Sequence, residues 1–286
     1  MKPMIRSPLG RRIVSGAVVG FCGLSVILAL IPLGFILFFV VRQGLPALTL
    51  EFFTHMPKPV GEAGGGMANA MVGTLILIGL AALCAVPIGI IAGIHLSEYR
   101  SSRLASAVRF SADVLNGVPS IVIGIFAYAA AVLPFRRFTA LAGGLALGLM
   151  MIPIILRTTE ELLGLVPPML RDGALALGAT RARAVLTVIL PAALPGIMTG
   201  VLVALARVGG ETAPLLFTAF NNRFWSTRLD QPIASLTVQI YTYAISPYDD
   251  WHRQAWAGAT VLIGAMLLFS LLARTVTRRL ERMHRA

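Results

Sequence analysis

Apolar residues come in long blocks along this chain, separated by short polar stretches. Each block is near the twenty or so residues that a helix needs to cross a bilayer. The pattern predicts six membrane spans, at about 15–41, 69–96, 117–135, 138–157, 192–220 and 255–274. The third and fourth are joined by the short link Pro134 to Phe138 and so form a helical hairpin. The first block, Ile13 to Val41, is longer than a signal-peptide core and lacks an Ala-x-Ala site. It reads as an uncleaved span. The expectation is an all-α membrane protein with six transmembrane helices.

The fifth block breaks the pattern. It carries Arg207 and Glu211, with Gly209, Gly210 and Pro214 close by. A charge inside a membrane span costs several kcal/mol unless it is paired or solvated. Arg207 falls about halfway along this block. Glu211 is four residues on, one turn away on a continuous helix, where the two charges can neutralise each other. At the start of the third block, Asn116-Gly-Val-Pro119-Ser120 reads as a helix start, with Asn116 or Ser120 as its cap. Arg157, Glu160 and Glu161 read as a charged edge that closes the fourth span.

Composition agrees with the blocks. Of 286 residues, 57% are hydrophobic and only 13% are charged, against nearer a quarter charged in a soluble domain. The net charge of +12 reads as membrane topology, not nucleic-acid binding, because the basic residues flank the apolar blocks. Six spans put both termini on one side. That side collects Lys2, Arg6, Arg11, Arg12, Arg100, Arg103, Arg109, Arg157, Arg171, Arg181, Arg183 and the arginines of the C-terminal tail. The other side has Arg42, Lys58, Arg136, Arg137, Arg223, Arg228 and Arg253. The positive-inside rule makes the first side cytoplasmic. The segment 221–254 is then external. Its aromatic residues, among them Trp225, Tyr241, Tyr243, Tyr248 and Trp251, with Trp256 just beyond, read as an interfacial belt or a docking surface. The glycine run at 61–66 reads as a flexible link into the second span.

Several chemistries are excluded or disfavoured. Cys22 and Cys84 are the only cysteines, and both read as packing residues, not a disulfide or metal site. There is no HExxH or G-x-S-x-G motif, and His55, His95, His252 and His284 are scattered. The only lysines are Lys2 and Lys58, neither in a Gly-Lys-Ser/Thr unit, so the chain has no Walker-type ATP site. No cofactor and no metal are expected, and an energy source has to come from a partner.

The longest cytoplasmic connection, about 158–190, carries the sharpest signal. It reads as a short helix, a glycine break and a second short helix, with Pro191 opening the fifth span. Ala174, Leu175 and Leu177 make an apolar knob that needs a partner, or else lies on lipid. Asp172, Gly173 and Ala174 are followed after three residues by Gly178, and after nine more by Val188-Ile189-Leu190-Pro191. This spacing resembles the E-A-A loop of ATP-binding-cassette importer permeases, with Asp for Glu, Gly for Ala and Val for Ile as departures. The segments Leu115 to Tyr128, Ile152 to Leu163 and Ala206 to Phe220 are similar to the permease subunits of bacterial high-affinity phosphate importers, of PstA type more than PstC type.

The resemblance implies a type I ABC importer permease fold over 67–275, preceded by a segment 1–66 with the first span and external loop, and followed by a basic tail 276–286. It implies a multi-pass subunit of the bacterial inner membrane that translocates phosphate, with sulfate or molybdate as the alternative oxyanion. It implies a second permease subunit (PstC-like), two ATPase subunits (PstB-like) and an external phosphate-binding protein (PstS-like), besides membrane lipid. Asp172, Gly173, Ala174, Gly178, Leu190 and Pro191 would belong to the ATPase-coupling loop. Arg207, Glu211, Thr212 and Ser120 become candidates for the substrate path, since a guanidinium fork suits phosphate oxygens and broken helices expose polar groups to substrates. A merely structural Arg207–Glu211 pair stands beside that reading, as a stand-alone secondary transporter or an intramembrane enzyme stands beside the importer.

Overall fold

The computed structural model describes residues 8–62 and 64–285. Residues 1–7 of the N-terminal segment, Ala63 of the glycine run, Ala286 and the side chains of the 276–286 tail lie outside this description. Among the described residues the secondary structure is helical. Five helices are long and apolar enough to cross a membrane, and a bent pair makes up to six.

Helix α1 runs over Pro8–Gly44. Its 37 residues span about 55 Å at 1.5 Å each, more than the bilayer core. It touches the rest of the chain near its end, where Val40 is buried and its carbonyl accepts from the Thr260 hydroxyl at 3.1 Å. After the short helix α2 (Leu50–Thr54), capped by Thr49, α3 covers Ala68–Glu98. Its buried positions Leu77, Ala81, Ala85, Gly89 and Gly93 recur every four residues. This stripe packs on α6 (Ala140–Leu165). A Cβ on Gly89 would stand 2.8 Å from Ile155, and one on Gly93 2.5 Å from Thr159. Gly143 and Gly144 answer from α6 against Leu77 and Leu80. Small residues let the two backbones approach closely, the usual source of helix affinity in lipid, where there is no hydrophobic drive between helices.

Between them lie α4 (Arg103–Gly117), capped by Ser102, and α5 (Ser120–Phe135), bent from it by 109°. Pro119 causes the bend: it lacks an N–H and forces Val118 into an extended conformation. The α5–α6 hairpin forms as expected, with Arg136 in the left-handed conformation in the link. A nine-residue helix α7 (Pro168–Ala176) follows, then α8 (Arg181–Gly209), α9 (Ala213–Thr218), α10 (Leu236–Ala244) and α11 (Asp249–Arg285). The main core is built from α3, α6, α8 and α9 around Leu77, Met151, Ile155, Val201 and Leu215. A second cluster at one end holds Phe52, Met67 and a stacked Tyr243–Trp251 pair 4.4 Å apart.

Several expectations need correction. Pro191 does not open the fifth span. The helix starts ten residues earlier, at Arg181, and passes the proline through a π turn at Val185–Ile189. A proline cannot donate to the carbonyl four residues back, and the wider turn accommodates the missing bond. The same happens at Tyr128–Val132 before Pro134. The glycine run is no loose link: Gly65 and Gly66 are buried, and a Cβ on Gly66 would meet the Glu51 and Phe52 carbonyls at 2.5 Å. Cys22 and Cys84 are free and sit on exposed faces, not in the packed interior. Asn116 and Ser120 do not cap α5, because Pro119 itself occupies the cap position. The 221–254 aromatics divide: Tyr243 and Trp251 are core residues, whereas Trp225, Tyr241 and Tyr248 are exposed.

Candidate functional site

The fifth apolar block yields a broken helix. Gly196 and Gly200 bring α8 against Leu162 and Thr158 of α6, and Gly209 brings its end against Met266 of α11. Thr199, Val203 and Arg207 recur along α8 at four-residue spacing, and all three are exposed. At the end of the helix the ladder tightens: Gly210 N–H donates to the Arg207 carbonyl at 3.3 Å and Glu211 N–H to the Val208 carbonyl at 3.1 Å. Two glycines in succession give this stop. Thr212 then leads into α9, whose first turn holds Pro214. The Gly124 backbone of α5 approaches Pro214 closely, since a Cβ there would lie 2.7 Å from the Pro214 Cα. Ser120 is one turn back from that contact, at the start of α5.

Arg207 is therefore in the last turn of α8, not halfway along a span, and Glu211 is in the break, not one turn further on the same helix face. The expected ion pair is absent: among the described residues no ion pair joins Arg207 to Glu211. The i, i+4 argument requires a continuous helix, and Gly210 ends it. Glu211 and Thr212 are half-buried.

The break is held from outside by the segment that returns from α9 to α10. The Thr237 hydroxyl donates to the Glu211 carbonyl at 2.9 Å. Asn69 donates to the Asn222 carbonyl at 2.8 Å, and Asn221 to the buried Gln239 side chain at 3.0 Å. The aromatic residues of 221–254 point to a belt or docking surface, and these buried polar contacts are additional to that expectation. The signal for it in the sequence is Ser235 as a cap immediately before an apolar helix, with Thr237 in that helix's first turn. Further along this segment, the guanidinium of Arg228 beside Asp230 holds its carboxyl below the usual carboxylate range.

At the α7 end of the bundle, charges gather around α4. Glu160, 14% exposed, accepts from Arg109 at 2.6 Å and from Arg157 at 3.2 Å. Arg157 also meets both Asp113 carboxylate oxygens at 2.5 Å. Arg109 further donates to the carbonyls of Leu96, in the last turn of α3, and of Arg100, just beyond it. Neutralised from α4, these charges do not close the fourth span, and α6 continues to Leu165. Glu161 is exposed and outside the cluster.

The loop 166–180 has the expected helix–glycine–helix form. Gly178 has φ +84°, and Thr180 caps the next helix. Leu177 is 91% exposed and Met169 82%, so the apolar knob stands free in the isolated chain, while Ala174 is half-buried. Asp172 and Gly173 are exposed beside it, and Leu190 and Pro191 belong to α8. Arg171 makes a two-pronged pair with Glu98 of α3, one arm at 3.0 Å. A cleft of about 240 Å³ lies between them, Asp172 and Arg181. Among the described residues no group of three or more His, Cys, Asp or Glu side chains is placed to hold a metal ion.

Residues 85–285 match the family of binding-protein-dependent transport system inner membrane components. The "Phosphate transport system permease protein PstA" of Yersinia pestis is 47% identical over 242 residues, 84% of this chain and 82% of that one. That of Haemophilus influenzae is 44% identical over 89% of this chain and 90% of its own. "PstA 1" of Mycobacterium tuberculosis is 36% identical over 96% of this chain and 93% of its own. Among solved structures, a chain of a bacterial alginate ABC transporter in complex with its pentasaccharide-bound periplasmic protein superposes with a TM-score of 0.63 at 16% identity, over 96% of this chain and 98% of that one. A chain of the MetNI methionine ABC transporter, in an inward-facing conformation, gives 0.56 at 18%, over 74% and 93%. At these identities the two structures speak for the fold alone.

Proposed function

Because the chain belongs to the binding-protein-dependent transport inner-membrane components, and within them to the PstA phosphate permeases, we propose that phosphate passes it at the α8–α9 break, with Arg207 as the anion-binding group. The chain is the membrane-spanning permease of an ATP-driven phosphate importer. The observation that carries the site is an exposed Arg207, engaged by no ion pair among the described residues, in an otherwise uncharged row along α8. Such a charge against lipid would cost several kcal/mol. A polar path shared with a second, PstC-like permease subunit removes that cost and gives the charge a use. The guanidinium can replace part of the hydration of phosphate, and Thr212 adds a hydroxyl beside the loosened backbone. Glu211 limits how tightly the anion is held, since a conduit has to release as well as bind. Ser120, on the helix that packs against α9, borders the same path.

The loop end faces the cytoplasm in this reading, with both termini there, since that orientation satisfies the positive-inside rule. Leu177 and its neighbours then form the contact with a PstB-like ATPase, and Asp172, Gly173, Ala174, Gly178, Leu190 and Pro191 shape it. ATP hydrolysis belongs to that partner. A PstS-like protein delivers phosphate to the opposite end. Residues 67–275 act as the permease unit, with 1–66 and 276–286 as its flanks.

Phosphate uptake and complex yield measured for Arg207→Gln, Glu211→Gln and the double variant test the site. Arg207→Gln should lose uptake with the complex assembled, and the double variant should assemble and stay inactive. Robust uptake by the double variant would falsify the substrate contact.

A further inference from the structure

The break in α8 releases backbone carbonyls, and several of them find partners close by. Those of Arg207 and Val208 accept from Gly210 and Glu211. That of Thr212 accepts from Leu215 and Leu216 in the first turn of α9. The carbonyl of Glu211 falls between the two helices and has neither ladder. It is met by the hydroxyl of Thr237, 26 residues on, at 2.9 Å. Thr237 is 5% exposed, so water does not compete for this bond.

Thr237 is itself firmly placed. It is the second residue of α10, behind the cap Ser235, whose Oγ accepts from Val238 N–H. The N–H of Leu236 donates to Thr74 Oγ1 of α3 at 2.8 Å. The carbonyl of Ala234 lies so close over Gly73 of α3 that a Cβ there would collide with it. The Ile233 N–H donates back to Ala219 at the end of α9 at 3.3 Å. The hydroxyl is thus fixed to α3 from one side and to α9 from the other.

We propose that Thr237 is a positioning residue for phosphate transport: by holding the main chain of Glu211, it sets where the Glu211 carboxylate stands relative to Arg207. This rests on the reading of the break as the phosphate site. Glu211 has no helix of its own to orient it, and no ion pair among the described residues engages its carboxylate. Beside the bond of its own N–H to Val208 at the end of α8, the bond to Thr237 is what fixes its main chain on the far side of the break.

The test uses the complete importer in proteoliposomes, with uptake of inorganic phosphate measured over a concentration series. Thr237→Val keeps the shape and removes the hydroxyl, while Thr237→Ser keeps the donor. Thr237→Val should change the KM for phosphate by about three- to tenfold, the scale of one lost hydrogen bond, with normal complex yield. Thr237→Ser should restore it. In the Glu211→Gln background, Thr237→Val should add nothing, because the two act through one group. Full additivity in that double variant, or equal loss of complex yield for the Val and Ser variants, overturns the proposal and leaves a purely structural threonine. A wild-type KM in Thr237→Val beside an altered one in Glu211→Gln also overturns it, while the break keeps its role. Wild-type uptake in Thr237→Val, Glu211→Gln and Arg207→Gln together would sink the reading of the break itself, and this proposal with it.

Discussion

Gly178 shows how much one residue decides. Its φ of +84° lies in the region that a β-branched side chain enters only at a cost of about 1–2 kcal/mol. No atom crowds the position, for a Cβ there would meet nothing within 4 Å. The strain alone is at stake, and it falls on the turn that aims Leu177 outward. Gly178→Val should therefore leave the membrane core intact and weaken ATPase docking. Co-purification of the ATPase subunit from a well-expressed variant checks it, and normal recovery with normal stimulated hydrolysis would remove the turn's importance. This glycine was legible in the sequence, since its place in a spaced loop motif is independent of the surrounding fold. The geometry of Arg207 and Glu211 was not. Their spacing says one turn only if the helix continues, and whether two glycines stop a helix depends on what packs against it. Here Met266 of α11 covers Gly209, and Thr237 supplies the carbonyl partner that makes the stop affordable.

Among the elements, α4 is the one that apolar blocks could not reveal. It is too polar to be a span, yet its charges complement those of α6 at matching spacing: Arg109 and Asp113 four apart, Glu160 and Arg157 three apart. Complementary pairs at these intervals were present in the sequence, but nothing said which helix would face which. Glu160 is the centre, serving two arginines. Glu160→Gln should destabilise the docking of α4 by about 1–3 kcal/mol, the cost of weakening hydrogen bonds to charged groups. Asp113→Asn should cost less, because Asp113 is largely exposed and water can take over. Thermal unfolding of the purified complex in detergent ranks the two, and the opposite order would refute the central place of Glu160. The π turns before Pro134 and Pro191 belong to this scale too. A proline in sequence reads as an end, and whether a helix absorbs it is settled by the packing on both sides.

The whole chain inherited most of its outline from the sequence: the hairpin, the loop and the rough places of the spans were visible, because lipid demands long apolar helices and leaves few alternatives, but not the earlier start and end of the fifth span or the bend before the third. Its orientation is open to direct measurement. A cysteine introduced at position 60 should react with a membrane-impermeant thiol reagent added outside, and one at 175 should not; the reverse would invert the topology. The stripe of small residues between α3 and α6 carries a consequence for motion. Backbones in such close contact have no slack to slide, so these two helices travel as one body. A transporter that alternates its opening has to bend somewhere, and what is left is the breaks: Val118–Pro119 beside α4, and Gly210 to Thr212 below Arg207. A disulfide between cysteines placed at Ala81 and Gly148, across the tight stripe, should leave phosphate uptake running. One between Gly124 and Phe217, across α5 and α9, should arrest it until a reductant is added, and uptake through that second lock would mean that the hinge lies elsewhere.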